Sequence, residues 1–137
     1  MSLVGYALRM AKQYYKPKTY EYALRVAGYV AENPMIPEDK MDNCVALAIM
    51  HDLIEDTEYF NGYFGKGYSY FEECLKLLTK SKDMDYLEYL KKIRDFSNIR
   101  PEVYWVKMAD MKDHLFQIET LMDSFKEKYL KALPYLL

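Results

Sequence analysis

The sequence predicts an all-α fold, a compact multi-helix bundle that forms a single domain over residues 1–137. Apolar residues recur at three- and four-residue spacing almost throughout the chain, and alternating strand-like runs are absent. The five prolines and five glycines fall mostly between these periodic stretches, where they interrupt helices. A chain of this length buries enough apolar surface to fold without disulfides or a structural metal.

The first helices are predicted at about residues 3–15 and 19–32, since Thr19 can cap the second and two prolines follow it. A third helix begins at Glu38 and is apolar nearly all round, which indicates a place in the centre of the bundle. After a glycine-containing loop, further helices are predicted at about 71–80 and 83–96, and from Glu102 towards the C-terminus, with a candidate interruption near Asp113.

Composition and charge exclude several classes of partner. A net charge of −2 lacks the basic excess that binding to duplex nucleic acid requires. The longest apolar run, residues 45–50, is far below the roughly 20 residues that span a bilayer, so no membrane partner is expected. Cys44 and Cys74 form no CxxC pair and are expected to be reduced packing residues of a cytoplasmic protein. The oligomeric state stays open.

A cluster of ionisable residues, His51, Asp52, Glu55 and Asp56, follows the most apolar helix. The helix is expected to continue through these residues, and at roughly 100° per residue the four side chains fall within one arc of about 140°. An imidazole beside a carboxylate suits Mn²⁺, Fe²⁺ or Zn²⁺, and a further pair of acids could activate a metal-bound water. The alternative is a helix end that became polar where it meets solvent.

Four segments together resemble one protein family. They are Tyr22-Ala-Leu-Arg-Val-Ala27, His51-Asp-Leu-Ile-Glu-Asp-Thr57, Leu78-Thr-Lys80 and Val106-Lys-Met-Ala-Asp110. In order and approximate spacing, over about residues 12–122, the chain resembles the HD superfamily and, within it, the hydrolase domains of RelA/SpoT enzymes and their small single-domain relatives.

The resemblance implies a metal-dependent phosphohydrolase. A divalent metal, usually Mn²⁺, would be held by His51, Asp52 and Asp110, and the pair Glu55 and Asp56 would activate the attacking water. Members of the family remove pyrophosphate from the ribose 3′ position of guanosine tetra- or pentaphosphate, and some hydrolyse the 2′-phosphate of NADPH. The implied substrate is therefore a phosphorylated nucleotide.

The chain departs from the family pattern where a first metal-binding histidine is expected, because Tyr22 occupies that position. A phenol with an ordinary pKa near 10 is a reluctant ligand for Mn²⁺ at neutral pH. His114 lies one helical turn beyond Asp110 and could supply a ligand nitrogen, contact substrate, or be a surface residue. A weakened site with three ligands is therefore expected, and Tyr22 and His114 are both candidate fourth ligands.

Lysines complete the predicted site. Lys18, Lys80 and Lys107 are candidates for binding substrate phosphate. Lys80 and Lys107 could equally pair with a core carboxylate, and for Lys107 this is the preferred role. Three functions remain open: a metal-dependent phosphohydrolase, a degenerate module that binds a nucleotide or partner without turnover, and an interaction domain whose polar cluster is a structural ion-pair network.

Overall fold

The computed structural model describes residues 2–59, 67–116, 128 and 130–135. Within these residues the chain is all-α, as predicted, and no strand is present. The α-helices are α1 (Leu3–Tyr14), α2 (Pro17–Ala31), α3 (Glu38–Met50), α4 (Leu53–Asp56), α5 (Ser69–Leu78), α6 (Tyr86–Asp95) and α7 (Pro101–Phe116), and a 3₁₀ turn spans Leu133–Tyr135.

Helix α3 lies in the centre of the bundle, as its apolar sequence predicts. It packs against α1, α2, α5 and α7. Its second half is buried on every side, including Leu47, Ile49 and Met50. Cys44 of α3 and Cys74 of α5 are fully buried free thiols, in agreement with a packing role. The residues that follow α3, beginning with His51, are therefore placed in the interior.

Local capping chemistry sets where several helices begin. The Ser2 side chain accepts a hydrogen bond from the Gly5 amide at the start of α1. Helix α2 begins at Pro17 rather than Thr19, because a proline fits the first turn, where its missing N–H has no partner to lose. Asp85 caps α6 by accepting from the amides of Leu87 and Glu88.

The helix predicted to continue through residues 51–56 is broken, so that expectation is wrong. In a continuous helix the Asp52 amide would bond to the Ala48 carbonyl. Instead, the Ala48 carbonyl accepts from His51 Nδ1 at 2.6 Å, and the Asp52 amide donates to the buried Tyr15 hydroxyl at 3.2 Å. The same hydroxyl donates to the Ile49 carbonyl at 3.0 Å. These side chains replace backbone partners and produce the turn between α3 and α4.

Helix α7 is the second element that positions polar residues inside the bundle. It passes Asp113 without interruption, so His114 lies one turn after Asp110, as predicted for a continuing helix. Buried Asp113 accepts two hydrogen bonds from Arg25, which ties α7 to α2. Within the described ranges, no helix has the length and apolar character needed to cross a bilayer.

Candidate functional site

A polar cavity of about 350 Å³ brings most of the predicted site residues together. Its lining comes from α2, α4, α6 and α7, the turn after α3, the segment that follows α5, and Lys128, which are distant in sequence. The lining residues are Thr19, Tyr22, Asp52, Glu55, Asp56, Lys80, Tyr86, Tyr89, Lys107, Asp110, His114 and Lys128. Its volume falls in the range of small-molecule sites.

His51 and Asp52 lie at the turn after α3, and of the two only Asp52 lines the cavity. His51 is buried, and because its Nδ1 donates to the Ala48 carbonyl, its Nε2 faces the polar cluster. Nε2 lies 3.2 Å from Asp52 Oδ2. Burial disfavours the charged imidazole, yet neighbouring Asp52 raises the pKa of His51. Burial likewise opposes ionisation of Asp52, but His51 lowers its pKa overall.

Asp110 is the most heavily bonded carboxylate of the site. Its Oδ2 accepts from Lys107 Nζ at 2.8 Å, and its Oδ1 lies 3.1 Å from His114 Nε2. Burial raises the pKa of Asp110, although His114 acts in the opposite direction. Burial also lowers the pKa of Lys107 to about 8. Lys107 thus pairs with a buried carboxylate, one of the two roles considered for it, and still lines the cavity.

The Tyr22 hydroxyl lies where three other polar groups meet. It donates to Asp110 Oδ1, and it is 3.1 Å from His51 Nε2 and 3.3 Å from His114 Nε2. The Tyr22 ring is tilted against the His114 ring, with 5.3 Å between centroids. Tyr22 stands where the resemblance places a histidine, and it therefore still directs a polar atom into the cluster.

Glu55 and Asp56 lie at the open side of the cavity. Glu55 Oε1 accepts from the Lys80 backbone amide at 2.6 Å, which ties α4 to the end of α5. Burial, Asp52 and Glu55 together raise the pKa of Asp56. Lys80 Nζ donates to the carbonyls of Ser81 and Met84. The two acids predicted for water activation are thus adjacent to the predicted metal ligands.

One predicted residue is placed elsewhere, and several lining residues were not predicted. Lys18 is exposed near the start of α2 and does not line the cavity. Tyr86 and Tyr89 of α6 do line it, and Lys107 Nζ lies 5.6 Å and 5.1 Å from their ring centroids. Lys128 Nζ lies 4.4 Å from the Tyr86 ring. Their spacing is that of ordinary amphipathic helices, so the sequence carries no signal for this role.

The donor set matches the chemistry of the metal that the resemblance implies. Imidazole nitrogen and carboxylate oxygen suit Mn²⁺, and the His51 Nδ1 bond to a carbonyl is the usual way to orient a ligating imidazole. Burial raises the pKa of Asp110, and burial together with the neighbouring carboxylates raises the pKa of Asp56, so a nearby cation would favour the ionised form of both. However, no three His, Cys, Asp or Glu side chains form a ready cation site in the described part of the chain.

A second cavity is larger but chemically different. It measures about 480 Å³ and is mainly apolar, with Tyr29, Trp105 and Phe116 among its lining residues. Its two charged lining residues, Glu32 and Lys112, are single groups of opposite sign. The smaller polar cavity is the candidate site, because acids, imidazoles and lysines converge there.

Comparison with known proteins identifies no family for this chain. The chain matches no model of a known protein family, and no curated protein matches it. The fold and the cavity therefore stand on the sequence and the structure alone.

Proposed function

We propose that this protein is a metal-dependent phosphohydrolase that acts on a phosphorylated nucleotide. The observation that supports this most directly is one cavity that contains four carboxylates and three lysines. Phosphoryl hydrolysis needs both kinds of group, since acids bind a metal and activate water while cations meet the phosphate charge.

His51, Asp52 and Asp110 would hold a divalent cation, Mn²⁺ by the resemblance. When bound, such an ion lowers the pKa of a water and polarises a phosphoryl oxygen. His51 is suited to this role because the Ala48 carbonyl fixes its Nδ1–H and leaves Nε2 facing the two aspartates. Lys107 orients Asp110 by bonding to Oδ2.

Glu55 and Asp56 are the proposed groups that position the water and take its proton. Their carboxylates lie at the opening of the cavity, next to Asp52. The raised pKa of Asp56 makes it a better proton acceptor than an ordinary aspartate. The bond from the Lys80 amide holds Glu55 in place, so that its second oxygen can face substrate.

Lys80, Lys107 and Lys128 would meet the phosphate, and the ring faces of Tyr86 and Tyr89 provide apolar surface beside it. His114 would contact substrate from the α7 side. The lining thus suits a ligand that combines phosphate with a flat ring system, which describes a guanosine tetra- or pentaphosphate and also NADPH.

The deciding experiment measures phosphate and pyrophosphate release from guanosine tetraphosphate, NADPH and a nucleotide panel, with Mn²⁺ and with EDTA. We expect Mn²⁺-dependent release that Glu55→Gln reduces by about 10²–10⁴-fold, the usual contribution of a general base. Glu58→Gln is the matched control, since Glu58 is exposed on the same segment and does not line the cavity. Release that persists in EDTA and in Glu55→Gln would disprove the proposal.

A second candidate is a module that binds a nucleotide without turnover. The Tyr22 hydroxyl favours it, because this group bonds to Asp110 and approaches both imidazoles without requiring any ion. Calorimetric binding of a nucleotide in EDTA, with no product formed in Mn²⁺, would identify this function instead.

A further inference from the structure

A further cavity, of about 330 Å³, lies at the surface between α5, α6 and the turn before α7. Its lining combines positive charge with apolar surface. The residues that carry these two properties are the cations Lys76, Lys92 and Arg100 and the apolar side chains of Leu77, Phe96 and Ile99. We call this cavity the basic groove. It shares no lining residue with the polar cavity of the candidate site.

The apolar part of the basic groove is exposed and has a fixed shape. Phe96 and Ile99 are 39% and 59% exposed, although apolar surface gains free energy when it is removed from water. The turn that carries them is closed by backbone bonds, because the Phe96 carbonyl accepts from the amides of Ile99 and Arg100 at 3.0 Å and 2.7 Å. A well-bonded backbone therefore presents these two side chains to the outside of the molecule.

The chain itself neutralises only part of the positive charge in the basic groove. Arg100 lies over the Tyr70 ring at 4.4 Å and bonds to Glu73, which is the one acid in the lining. Lys76 and Lys92 are exposed on α5 and α6. Three cations against one acid give the groove an excess of positive charge, whereas the whole chain has a net charge of −2. An occupant that fits the groove therefore combines apolar surface with negative charge.

The connection between α2 and α3 exposes this combination of groups. Met35 is the most exposed large hydrophobic side chain among the described residues, at 76%. Its amide donates to Asn33 Oδ1 at 2.9 Å, which holds the turn. Glu38 and Asp39 follow in the first turn of α3, and both are exposed. Methionine adapts its shape to irregular apolar sites, so Met35 is suited to enter a groove whose rim attracts the two acids.

The two surfaces lie near each other on the molecule. The Tyr70 ring has Arg100 of the basic groove 4.4 Å from its centroid and Lys40, in the first turn of α3, 6.0 Å from it. Two complementary surfaces that are neighbours on one subunit can contact a second copy around a two-fold axis, so that each contact forms twice.

We propose that this protein forms a symmetric dimer in which Met35 of each copy enters the basic groove of the other. Glu38 and Asp39 then face the lysines at the rim of that groove. This inference goes beyond the proposed function and does not depend on it, since no residue of the polar cavity takes part.

The test is sedimentation velocity of the full-length protein over a range of concentrations, at low and at high salt. We expect a dimer that forms as the concentration rises and weakens in high salt, which screens the charges. Lys92→Glu should weaken dimerisation by at least about tenfold, because repulsion replaces attraction at both contacts. Met35→Ser should weaken it by about tenfold or more through loss of the apolar anchor. Lys91→Glu is the matched control, since Lys91 is exposed on α6 but does not line the groove.

A charge swap tests whether these two surfaces meet. Glu38→Lys alone should weaken dimerisation as Lys92→Glu does. An equal mixture of the two variants should dimerise again, because both contacts of the mixed pair join opposite charges. Protein that stays monomeric at low salt overturns the proposal, and so does a dimer that these substitutions leave unchanged. Monomeric protein that binds a labelled peptide of residues 32–42 would also overturn it, and would assign the groove to an acidic segment of another protein.

Discussion

Helix α7 buries three carboxylates, and two of them, Glu102 and Asp110, have very different surroundings. Asp110 and Glu102 are 3% and 1% exposed. Asp110 contacts a hydroxyl, an imidazole and an ammonium group, so both of its oxygens are bonded. Glu102 Oε1 has no hydrogen-bond partner among the described residues, and its nearest ion-pair partner, Lys40 Nζ, is 3.8 Å away.

The comparison shows that burial of charge alone does not identify a functional site. A buried carboxylate with one unbonded oxygen costs stability, whereas a fully bonded one is positioned by its partners. Near Asp110 the partners also line a cavity, and near Glu102 they do not. The two acids should therefore respond in opposite directions when their charge is removed.

The largest effect is expected for Asp110→Ala. This change leaves the buried ammonium of Lys107 without its carboxylate, which costs about 3–5 kcal/mol of unfolding free energy. Urea denaturation followed by circular dichroism measures the loss.

The control for this prediction is a double variant that combines Asp110→Ala with Lys107→Met. If the cost comes from an unpaired ammonium, the double variant should recover a large part of the stability lost by Asp110→Ala alone. Losses that simply add would contradict the pairing of these two residues.

A smaller effect is the pH dependence that Lys107 imposes on stability. Its pKa is lowered to about 8 by burial, below the ordinary value of 10.5. Between those values the unfolded chain holds a proton that the folded chain has lost, so this residue makes stability rise with pH. The contribution is on the order of 1 kcal/mol per pH unit.

The measurement compares wild type with Lys107→Met in urea at several pH values from 7 to 10. Tyrosines titrate in both proteins, so the difference isolates Lys107. If the difference in unfolding free energy between the two proteins stays constant across this pH interval, Lys107 keeps its proton in the folded state.

The helices were predictable from sequence because apolar periodicity and proline positions reflect local geometry. The break after Met50 was not predictable, since it depends on the hydroxyl of Tyr15, the residue that follows α1, which donates to the Ile49 carbonyl. No local pattern reveals a partner that is 34 residues away along the chain. The four ionisable groups were expected to converge on one helix face, and three of them line the cavity across a turn instead.

The candidate site was predicted where its residues lie in recognisable motifs, and missed where they do not. His51, Asp52 and Asp110 lie close together, as expected from the motif pieces. Lys18 is not in the cavity, because the first turn of α2 exposes its side chain. Tyr86 is in the cavity, although nothing in its own helix distinguishes it from a packing residue. Tertiary packing determines such positions.

The smallest effect on stability is expected for Glu102→Met, and this variant should gain stability where Asp110→Ala loses it. Methionine has a similar volume and no charge, so it removes the unsatisfied oxygen without opening a cavity. Loss of an acid from the first turn of α7 offsets part of the gain through the helix dipole. We expect the variant to be about 1 kcal/mol more stable than wild type in urea denaturation. Glu102→Gln serves as the isosteric comparison, and a clear loss of stability in Glu102→Met would mean that Glu102 is compensated as fully as Asp110.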